Sequence, residues 1–378
     1  TTVHDGIKRA FKGDWGSKSH TKRVGVIQDL NRLSYNSALS HLRKVNLDFD
    51  SSSKIVGPHQ LHGSQYGYLD PIDTPDGGNV GLHKNMAMMC SITIEHKASE
   101  ILKWINTNMS FINLKTIDNI YVVQDALYKY KLFINGNWIG LIDEERKFVD
   151  KFIHYRRLGY IPSTVSIRLD NTSKMVIINS DKGRLSRPLL FTNKSDPKIP
   201  VAQYDIVDTR KYDWDKCVNG TNNIKYYEKL PPPDVKEAEI TNIIEYVDSN
   251  ESNMSLISQG HDINNRHTHK EIHPSLILGM MTNQVIFVEH NPLPRNLFAC
   301  GQSKQGISLY HSNYPVRVDQ TGIVLNNGQT PLVKSRYLKY INNEEHPCGE
   351  NTIVAIMSFN GYNVEDSILF NEGSVKRG

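Results

Sequence analysis

One dipeptide, Asn135-Gly136, most constrains what the middle of this chain can fold into. It interrupts the β-branched and aromatic run "NIYVVQDALYKYKLFINGNWIGLI", and Asn-Gly in such a run is the strongest short-range signal for a β-hairpin. The next segment, "KFVDKFIHYRRLGY", reads as an amphipathic helix that stops at Gly159. Since "TVSIRLDNTSKMVIINSDKGRLSRPLLF" then predicts a second strand pair, residues 95 to 190 are predicted to form a small α+β module.

The flanking regions carry weaker patterns. Residues 25 to 45 space their apolar residues three to five apart, which predicts one or two helices, and a polar loop closed by Gly57-Pro58 follows. The segment "ITNIIEYVDSNES" has apolar residues at helical spacing, and Pro231 to Pro233 predict a stiff spacer. After residue 270, the runs "NQVIFVEH", "TGIVLN" and "NTIVAIMSF" suit strands of a larger barrel or sheet.

Composition bounds the class of protein. A chain of 378 residues ordinarily makes two or three domains, and a formal charge of +4 confines any nucleic-acid contact to local basic clusters. The four cysteines form no C-x-x-C, which argues against a disulfide framework and a thiolate zinc site and favours a reducing compartment. No apolar stretch approaches the ~20 residues of a membrane helix. Because the start lacks both a signal peptide and an initiator methionine, the chain is expected to be a piece of a longer one.

Histidines concentrate in "HDINNRHTHKEIH", which invites a metal site. If this segment were a strand, three of its histidines and an acid would share one face. The spacing lacks H-E-x-x-H, so polar histidines satisfied within the fold are the better interpretation, and a metal hydrolase that also uses Glu365 remains an alternative. The residues concerned are His261, His267, His269, Glu271 and His273. The pair His59 and His62 in "HQLHG" is interpreted as side chains on a turn.

Three further segments could carry phosphate or metal chemistry. Arg295, Lys304 and Gln305 lie in "NPLPRNLFACGQSKQG", where cations could bind phosphate or belong to an ordinary surface loop. The block "DTPDGGNVGL" lacks the ending of a P-loop and alone predicts a turn. Glu365 and Asp366 follow "TIVAIMSFNGYN" and could hold magnesium or be two exposed acids in a loop.

The order of these segments resembles the second-largest subunit of multisubunit DNA-directed RNA polymerases. "LNRLSYNSALSHLRKVN" resembles the fork helices of that family, and "GPHQLHGSQYGYLDPIDTPDGGNVGLHKNMAMM" resembles its H-x-x-x-x-G-x-x-x-P-x-E-T-P-E-G signature. "INSDKGRLSRPLL" and "IIEYVDSNES" are similar to elements of the external domains. "THKEIHPSLILGM", "NPLPRN", "SKQG" and "GYNVEDSILFN" are similar to successive parts of the hybrid-binding domain.

The chain departs from the family pattern at several positions. The two glutamates of E-T-P-E-G are Asp73 and Asp76, and a common arginine is His59. Lys304 and Gln305 match the family, but the flanking methionines of A-M-G-K-Q-A-M-G are replaced. Enrichment in Asn and Lys suits a eukaryotic-type enzyme of an AT-rich genome, such as that of a large DNA virus.

The resemblance implies a multidomain α+β fold. Its parts would be a fork region at 1–95, a first external domain at 96–190, a second external domain at 191–262, and a hybrid-binding domain at 263–378. The last would be the first part of a double-psi β-barrel, incomplete at its C-terminus. The location would be intracellular, in the nucleus or, for a virus, in host cytoplasm or virion.

The resemblance also implies roles in DNA-templated RNA synthesis. Glu365 and Asp366 match the acids near a second Mg²⁺ shared with the largest subunit, and Arg295 matches the arginine near the nucleoside triphosphate. Lys304 and Gln305 match residues along the path of the RNA 3′ end. Arg43, Lys44 and the loop to Gly57 match the fork where DNA strands part. No zinc is expected in this segment.

The implied partners are the largest subunit and other polymerase subunits, template DNA, the RNA–DNA hybrid and nucleoside triphosphates, without a membrane. The catalytic aspartate triad of the family belongs to the largest subunit, so this chain is expected to be inactive alone. A second possibility is an assembly scaffold that binds nucleic acid without contributing to chemistry.

Overall fold

The computed structural model describes residues 2–15, 23–47, 55–116, 128–191, 213–219, 225–230, 242–259 and 266–377. The predictions for residues 48–54, for Pro231 to Pro233 and for His261 lie outside these ranges. The helices in the described part are α1 (Thr2–Phe11), α2 (Tyr35–Leu42), α3 (Ala98–Asn108), α4 (Glu145–Arg157), α5 (Trp214–Asn219), α6 (Leu293–Ser303), α7 (Tyr337–Tyr340) and α8 (Glu372–Arg377). None of these helices is long and apolar enough to span a lipid bilayer.

The strands in the described residues are short and fall into four sheets. They are β1 (Asp14–Trp15), β2 (Arg23–Val24), β3 (Lys44–Asn46), β4 (His83–Asn85), β5 (Ser91–Ile92), β6 (Ile112–Asn113), β7 (Tyr130–Ile134), β8 (Asn137–Ile142), β9 (Ser166–Asp170), β10 (Met175–Asn179), β11 (Leu185–Phe191), β12 (Ile244–Asp248), β13 (Ile257–Ser258) and β14 (His269–Lys270).

The region predicted as an α+β module contains a sheet covered by helices, but its last strand, β11, pairs with β12 in a second sheet. The helix-covered sheet has the order β6-β8-β7-β10-β9, with β7 and β10 parallel and the other pairs antiparallel. The β7–β8 hairpin turns at Asn135 and Gly136, whose φ angles of 46° and 79° suit a two-residue turn. Helices α3 and α4 cover this sheet through a core that includes Trp104, Phe152 and Leu132. Helix α4 gives way to Gly159 at φ 83°, as predicted.

A second sheet follows, with the order β12-β11-β14-β13 and β5 beside β11. The apolar spacing in "ITNIIEYVDSNES" is typical of a helix, but the structure has no α-helix in the described part of this segment. Ile244–Asp248 forms strand β12, and Glu251–Met254 forms a 3₁₀ turn. Strand β12 pairs antiparallel with β11 over five residues, and Ile244 packs on Leu190, Cys217 and Val218. This pairing with a distant segment outweighs the local spacing.

A buried ionic cluster joins the two sheets. Arg156 of α4 donates to the carboxylates of Glu245 on β12 and Glu251 beyond it. All three side chains are almost fully buried, and Arg157 adds a second cation at 2.8 Å from Glu245. Burial pushes the pKa of Glu245 upward, but Arg157, Arg156 and His269 outweigh it and hold that pKa well below its usual value.

Residues 25 to 45 contain one helix, α2, and its N-cap is Ser34. The Ser34 hydroxyl accepts from the Ser37 amide at 3.1 Å, and the Ser37 hydroxyl accepts in return from the Ser34 amide at 2.9 Å. This reciprocal capping box satisfies two helix-end donors and fixes where α2 begins. Strand β3 follows directly and pairs antiparallel with β4, which brings residues 83 to 85 beside the end of α2.

The strands predicted after residue 270 are not formed in "NQVIFVEH", "TGIVLN" or "NTIVAIMSF". The first folds into 3₁₀ turns at Thr282–Gln284 and Val288–His290, with Phe287 left-handed at φ 51°. In the third, Ile353 and Ile356 are fully exposed. A strand requires a hydrogen-bonding neighbour, and the described residues supply none there, so apolar composition alone does not make a sheet.

Candidate functional site

A cavity of about 600 Å³ lies where the N-terminal region meets α6. One wall comes from α2 and the β3–β4 pair, the second from the turn at residues 73–76, and the third from the C-terminal half of α6. Its lining residues include Ser37, Ser40, His41, Lys44, Asp73, Thr74, Asp76, His83, Asn85, Phe298, Gln302, Lys304 and Gln305. Segments far apart in the sequence therefore place cations, acids and amides around one opening.

Lys304 is anchored at its backbone by helix α2. It is the C-cap of α6, and its carbonyl oxygen accepts a hydrogen bond of 2.6 Å from Ser34 Oγ. The preceding carbonyl, of Ser303, accepts from Asn36 Nδ2 at 3.3 Å. The end of a helix leaves carbonyls without intrahelical partners, and α2 supplies donors for two of them. The position of Lys304 is therefore set by the start of α2.

The side chain of Lys304 is anchored by Asp73. Its Nζ lies 2.8 Å from Asp73 Oδ1, and the side chains are 25% and 5% exposed, respectively. The Asp73 carbonyl accepts from Asn85 Nδ2 at 3.0 Å, and Asn85 Oδ1 accepts from Ser40 Oγ at 3.1 Å. A chain of contacts thus runs from α2 through β4 to the carboxylate that holds the lysine.

Lys44 is the second cation of the cavity. It begins β3, directly opposite Asn85 in the antiparallel register. Burial lowers the pKa of Lys44, nearby Lys304 lowers it further, and Asp73 opposes both effects. Two ammonium groups therefore influence each other across the cavity, and Asp73 lies close enough to both to moderate their repulsion.

Asp70 connects the backbone just before the turn at residues 73–76 to residues 279–282. It is buried, and its Oδ2 accepts from the Gly279 amide at 2.8 Å and from Thr282 Oγ1 at 2.6 Å. Burial raises the pKa of Asp70, although these hydrogen bonds oppose the rise. A Cβ at position 279 would lie 2.4 Å from the same carboxylate oxygen, so only glycine allows this approach.

Arg43 lies beside Lys44 but is directed into the protein. Its Nη2 donates to the carbonyls of Ala87, Met88 and Cys90 at 2.6, 3.3 and 3.0 Å. Burial lowers the pKa of Arg43. The guanidinium therefore holds the backbone turn after β4, and Lys44 is the member of this pair that lines the cavity.

The other predicted site residues lie in two places. Gln305 is exposed and lines the cavity beside Lys304. Arg295 is also exposed, but it is in the first turn of α6, with its guanidinium 5.6 Å from the centre of the Phe298 ring. Lys304 lies nine positions after Arg295, about 13 Å along the helix axis. Arg295 is not among the residues that line the cavity.

Glu365 and Asp366 are exposed in the irregular C-terminal segment, and Glu365 has a left-handed φ of 58°. No hydrogen bond or ion pair within the described residues connects them to Lys304, Lys44 or Arg295. Carboxylate oxygens are ligands that Mg²⁺ prefers, so the donor type fits. In the described part of the chain, no group of three or more His, Cys, Asp or Glu side chains is placed to hold a metal ion. The two acids can therefore supply only part of a coordination shell.

Two of the histidines considered for a metal site, His269 and His273, have partners within the protein. His269 is buried, with Nε2 3.3 Å from Glu245 and Nδ1 2.9 Å from Thr268 Oγ1. Glu271 pairs with Arg187. His273 Nδ1 accepts from the Ser275 amide, and its Nε2 lies 2.7 Å from Arg336 Nη2. His59 Nδ1 donates to the Val80 carbonyl at 2.7 Å, and His62 caps a 3₁₀ turn.

Three family models match separate parts of the chain. They are described as RNA polymerase Rpb2, domain 3, over residues 28–92, domain 4 over residues 132–193, and domain 6 over residues 281–378. The first and third of these segments contribute opposite walls of the cavity. The matches follow the same order along the chain as the domain numbers.

Individual proteins match over nearly the whole chain. The RNA polymerase II subunit RPB2 of Encephalitozoon cuniculi is 31% identical, covering 97% of this chain and 31% of its own length. The RNA polymerase III subunit RPC2 of Drosophila melanogaster is 33% identical, covering 99% of this chain and 31% of its own. The polymerase subunit Rpo2 of Sulfolobus acidocaldarius is 33% identical over 94% of this chain and 30% of its own.

The chain belongs to the family of second-largest subunits of DNA-directed RNA polymerase. It spans about a third of the length of these relatives. The resemblance inferred from motif order is therefore confirmed at the level of the family.

Sequence reasoning missed several residues that build the cavity of this second-subunit chain. The sequence places Asp73 in a predicted turn and in the family signature, but neither pattern connects it to Lys304, its partner in the structure. Ser34 and Asn85 carried no signal of a site, because capping and amide contacts with distant segments leave no local pattern. The D-T-P-D-G block held one usable signal, since an acid in a turn rich in glycine suits a fixed backbone beside a ligand.

Proposed function

We propose that this chain is a working part of a DNA-directed RNA polymerase, a nucleotidyltransferase, and that it acts only within the assembled enzyme. The observation that supports it best is the convergence of Lys44, Lys304 and Gln305 on one cavity in a chain of the second-subunit family. Lysines bind phosphate as point charges, and amides bind sugar and base edges, so such a cavity suits a nucleic-acid strand.

The proposed roles follow the family resemblance. Lys304 and Gln305 line the path of the RNA 3′ end, and Arg43 and Lys44 belong to the fork where the DNA strands part, with Lys44 as the contact that faces the cavity. Arg295 contacts the nucleoside triphosphate. Phosphoryl transfer depends on positioning and on stabilising phosphate charge, which exposed cations of this kind can do.

Glu365 and Asp366 are proposed to hold part of a Mg²⁺ site shared with the largest subunit. When bound, the ion neutralises phosphate charge. The exposure of both acids suits ligands that are completed by a phosphate and by another chain. The partners proposed are therefore the largest subunit and other polymerase subunits, template DNA, the RNA–DNA hybrid and nucleoside triphosphates.

The domain assignment is proposed on the same grounds. Residues 1–95 form the fork region, 96–190 and 191–262 the two external domains, and 263–378 the first part of a double-psi β-barrel that binds the hybrid. The exposed apolar residues of the last segment, among them Ile353 and Ile356, suit strands that pair only within a larger domain.

Extension of a primed template by the assembled enzyme tests this function. Asp366→Ala is expected to slow extension at low Mg²⁺ and low nucleotide while leaving template binding nearly unchanged. Glu372→Gln removes the charge of another exposed acid, the partner of Lys376, and is the matched control. A wild-type rate for Asp366→Ala under these conditions would favour a scaffold without a catalytic contribution. Nucleotide incorporation by the purified chain alone would contradict the requirement for assembly.

A further inference from the structure

We propose that Asp73 is a positioning residue, which holds the Lys304 ammonium toward the nucleic-acid phosphate that the cavity receives. The inference rests on the proposed function, because it assigns Asp73 a task only if Lys304 contacts the RNA strand. Asp73 does not touch that strand in this scheme and acts through the lysine.

The geometry around Lys304 restrains its side chain. Lysine is a long, flexible side chain that loses much rotamer freedom when it is held in one place. Lys304 is restrained at both ends, at its carbonyl by Ser34 at 2.6 Å and at its Nζ by Asp73 at 2.8 Å. Since one ammonium carries three donors, Asp73 leaves two for a phosphate oxygen or for water.

The carboxylate of Asp73 also reduces the repulsion between the two lysines of the cavity. Lys304 lies close enough to Lys44 to disfavour the charge of Lys44, and Asp73 is the carboxylate that opposes this effect. Asp73 is 4% exposed, so its charge is screened weakly by solvent. Without that charge, the two lysines would repel and Lys304 would turn outward into water.

Asp73 is itself held in place by neighbouring side chains. Asn85 fixes the Asp73 carbonyl, Ser40 of α2 fixes Asn85, and Asn85 lies opposite Lys44 in the strand register. The strand pair β3–β4 therefore positions Lys44 directly, and it positions Lys304 through Asp73. A residue that merely filled space would not need its backbone held in this way.

A covalent-labelling experiment on the full assembled enzyme tests the contact itself. Lysines are labelled with an amine-acylating reagent and quantified by mass spectrometry, with exposed Lys147, whose side chain is 78% exposed, as the internal standard. In Asp73→Asn, labelling of Lys304 is expected to rise about threefold, because the amine loses a charge-assisted hydrogen bond. Asp73→Glu keeps the charge and should remain near wild type.

Extension of a primed template tests the consequence. Asp73→Asn is expected to reduce kcat/KM about fivefold, since the charge-assisted contact is partly exposed to solvent. The double variant Asp73→Asn with Lys304→Gln should be no slower than Lys304→Gln alone, because both changes remove one interaction. Asp143→Asn, which removes a carboxylate paired with Lys129 at 3.2 Å on the α+β module, is the control of equal charge.

The outcomes distinguish a failure of the positioning role from a failure of the proposed function. If Lys304→Gln slows extension but Asp73→Asn does not, or if their effects multiply in the double variant, the positioning role is overturned and the proposed function stands. Unchanged labelling of Lys304 in Asp73→Asn overturns it as well. If Lys304→Gln extends RNA at the wild-type rate, the proposed role of the cavity fails and the positioning role fails with it.

Discussion

Ser34 Oγ donates a hydrogen bond of 2.6 Å to the carbonyl oxygen of Lys304, 270 residues further along the chain. The same hydroxyl oxygen accepts from the Ser37 amide at 3.1 Å and caps α2. One side chain therefore satisfies an unpaired donor at the start of α2 and an unpaired acceptor at the end of α6. This contact fixes two walls of the cavity relative to each other.

Replacing Ser34 by alanine should therefore cost more than an ordinary surface substitution. Ser34→Ala leaves a capping amide and a partly buried carbonyl without their partner, and the free energy of unfolding is expected to fall by about 1–2 kcal/mol. Urea denaturation of the purified chain measures this. Ser34→Thr retains the hydroxyl and should recover most of the loss; a Ser34→Ala variant as stable as the wild type would contradict the importance of these hydrogen bonds.

Gly67 and Gly136 allow steric and conformational costs to be separated. Both have positive φ, 81° and 79°, but a Cβ at Gly67 would lie 1.9 Å from Arg187 Nη1, whereas a Cβ at Gly136 meets nothing within 4 Å. Gly136→Ala is expected to cost about 1–2 kcal/mol from backbone strain alone. Gly67→Ala should cost clearly more, because it also displaces Arg187 from its buried pair with Glu271. Thermal unfolding of both variants makes the comparison, and similar costs would contradict it.

The Arg156 cluster should be the most sensitive ionic contact among those described here. Arg156→Met leaves Glu245 and Glu251 buried without their shared cation and is expected to destabilise the chain by about 3–5 kcal/mol. Arg168→Met is the control, because Arg168 lies 3.7 Å from Asp170 in a partly exposed pair and should cost less than about 1 kcal/mol. Denaturant titration compares them, and a small effect for Arg156→Met would mean that other groups or water satisfy the two acids.

The parts of the fold that the sequence predicts are those encoded locally. The turn at Asn135-Gly136 and the stop at Gly159 depend on adjacent residues, and both are where the pattern indicates. Strand β12 depends instead on pairing with β11, more than fifty residues earlier in the chain, so its local helical spacing was misleading. The runs after residue 270 were overpredicted as strands because composition shows β propensity but not whether a partner strand exists.

The candidate site divides in the same way. Lys304 and Gln305 could be selected from their residue types and from the family resemblance. The ion pair between Asp73 and Lys304 spans 231 residues, and no local rule connects its members. Arg43 shows the same limit, since its place beside Lys44 in the sequence does not reveal that its guanidinium binds three backbone carbonyls.

Thiol reactivity should separate one cysteine from the other three. Burial raises the pKa of Cys90 and of Cys300 to about 12 and also raises that of buried Cys217, whereas Cys348 is exposed. The thiolate is the reactive form of cysteine. The raised pKa keeps these three thiols protonated at pH 8, so that only a minute fraction of each is present as thiolate. A disulfide reagent is expected to modify one thiol per native chain rapidly and all four after denaturation. Rapid modification of two or more native thiols would contradict this burial.

Arg295 offers the sharpest test of the proposed triphosphate contact, because its guanidinium is exposed on α6 beside Phe298 and can reach a ligand without rearranging the fold. In the assembled polymerase, Arg295→Ala is expected to raise the apparent KM for nucleotide about tenfold with a smaller change in kcat, since a charge-assisted phosphate contact is lost. Arg295→Lys should recover only part of it, because an ammonium lacks the two-pronged guanidinium geometry.

Arg146 of α4 is also exposed and serves as the matched control. Arg146→Ala should leave KM and kcat unchanged, which excludes a general effect of removing one positive charge. An unchanged KM for Arg295→Ala at a normal rate would remove Arg295 from the nucleotide site. Because Lys304 lies about 13 Å further along the same helix, that result would leave the cavity and its role in holding the RNA strand intact.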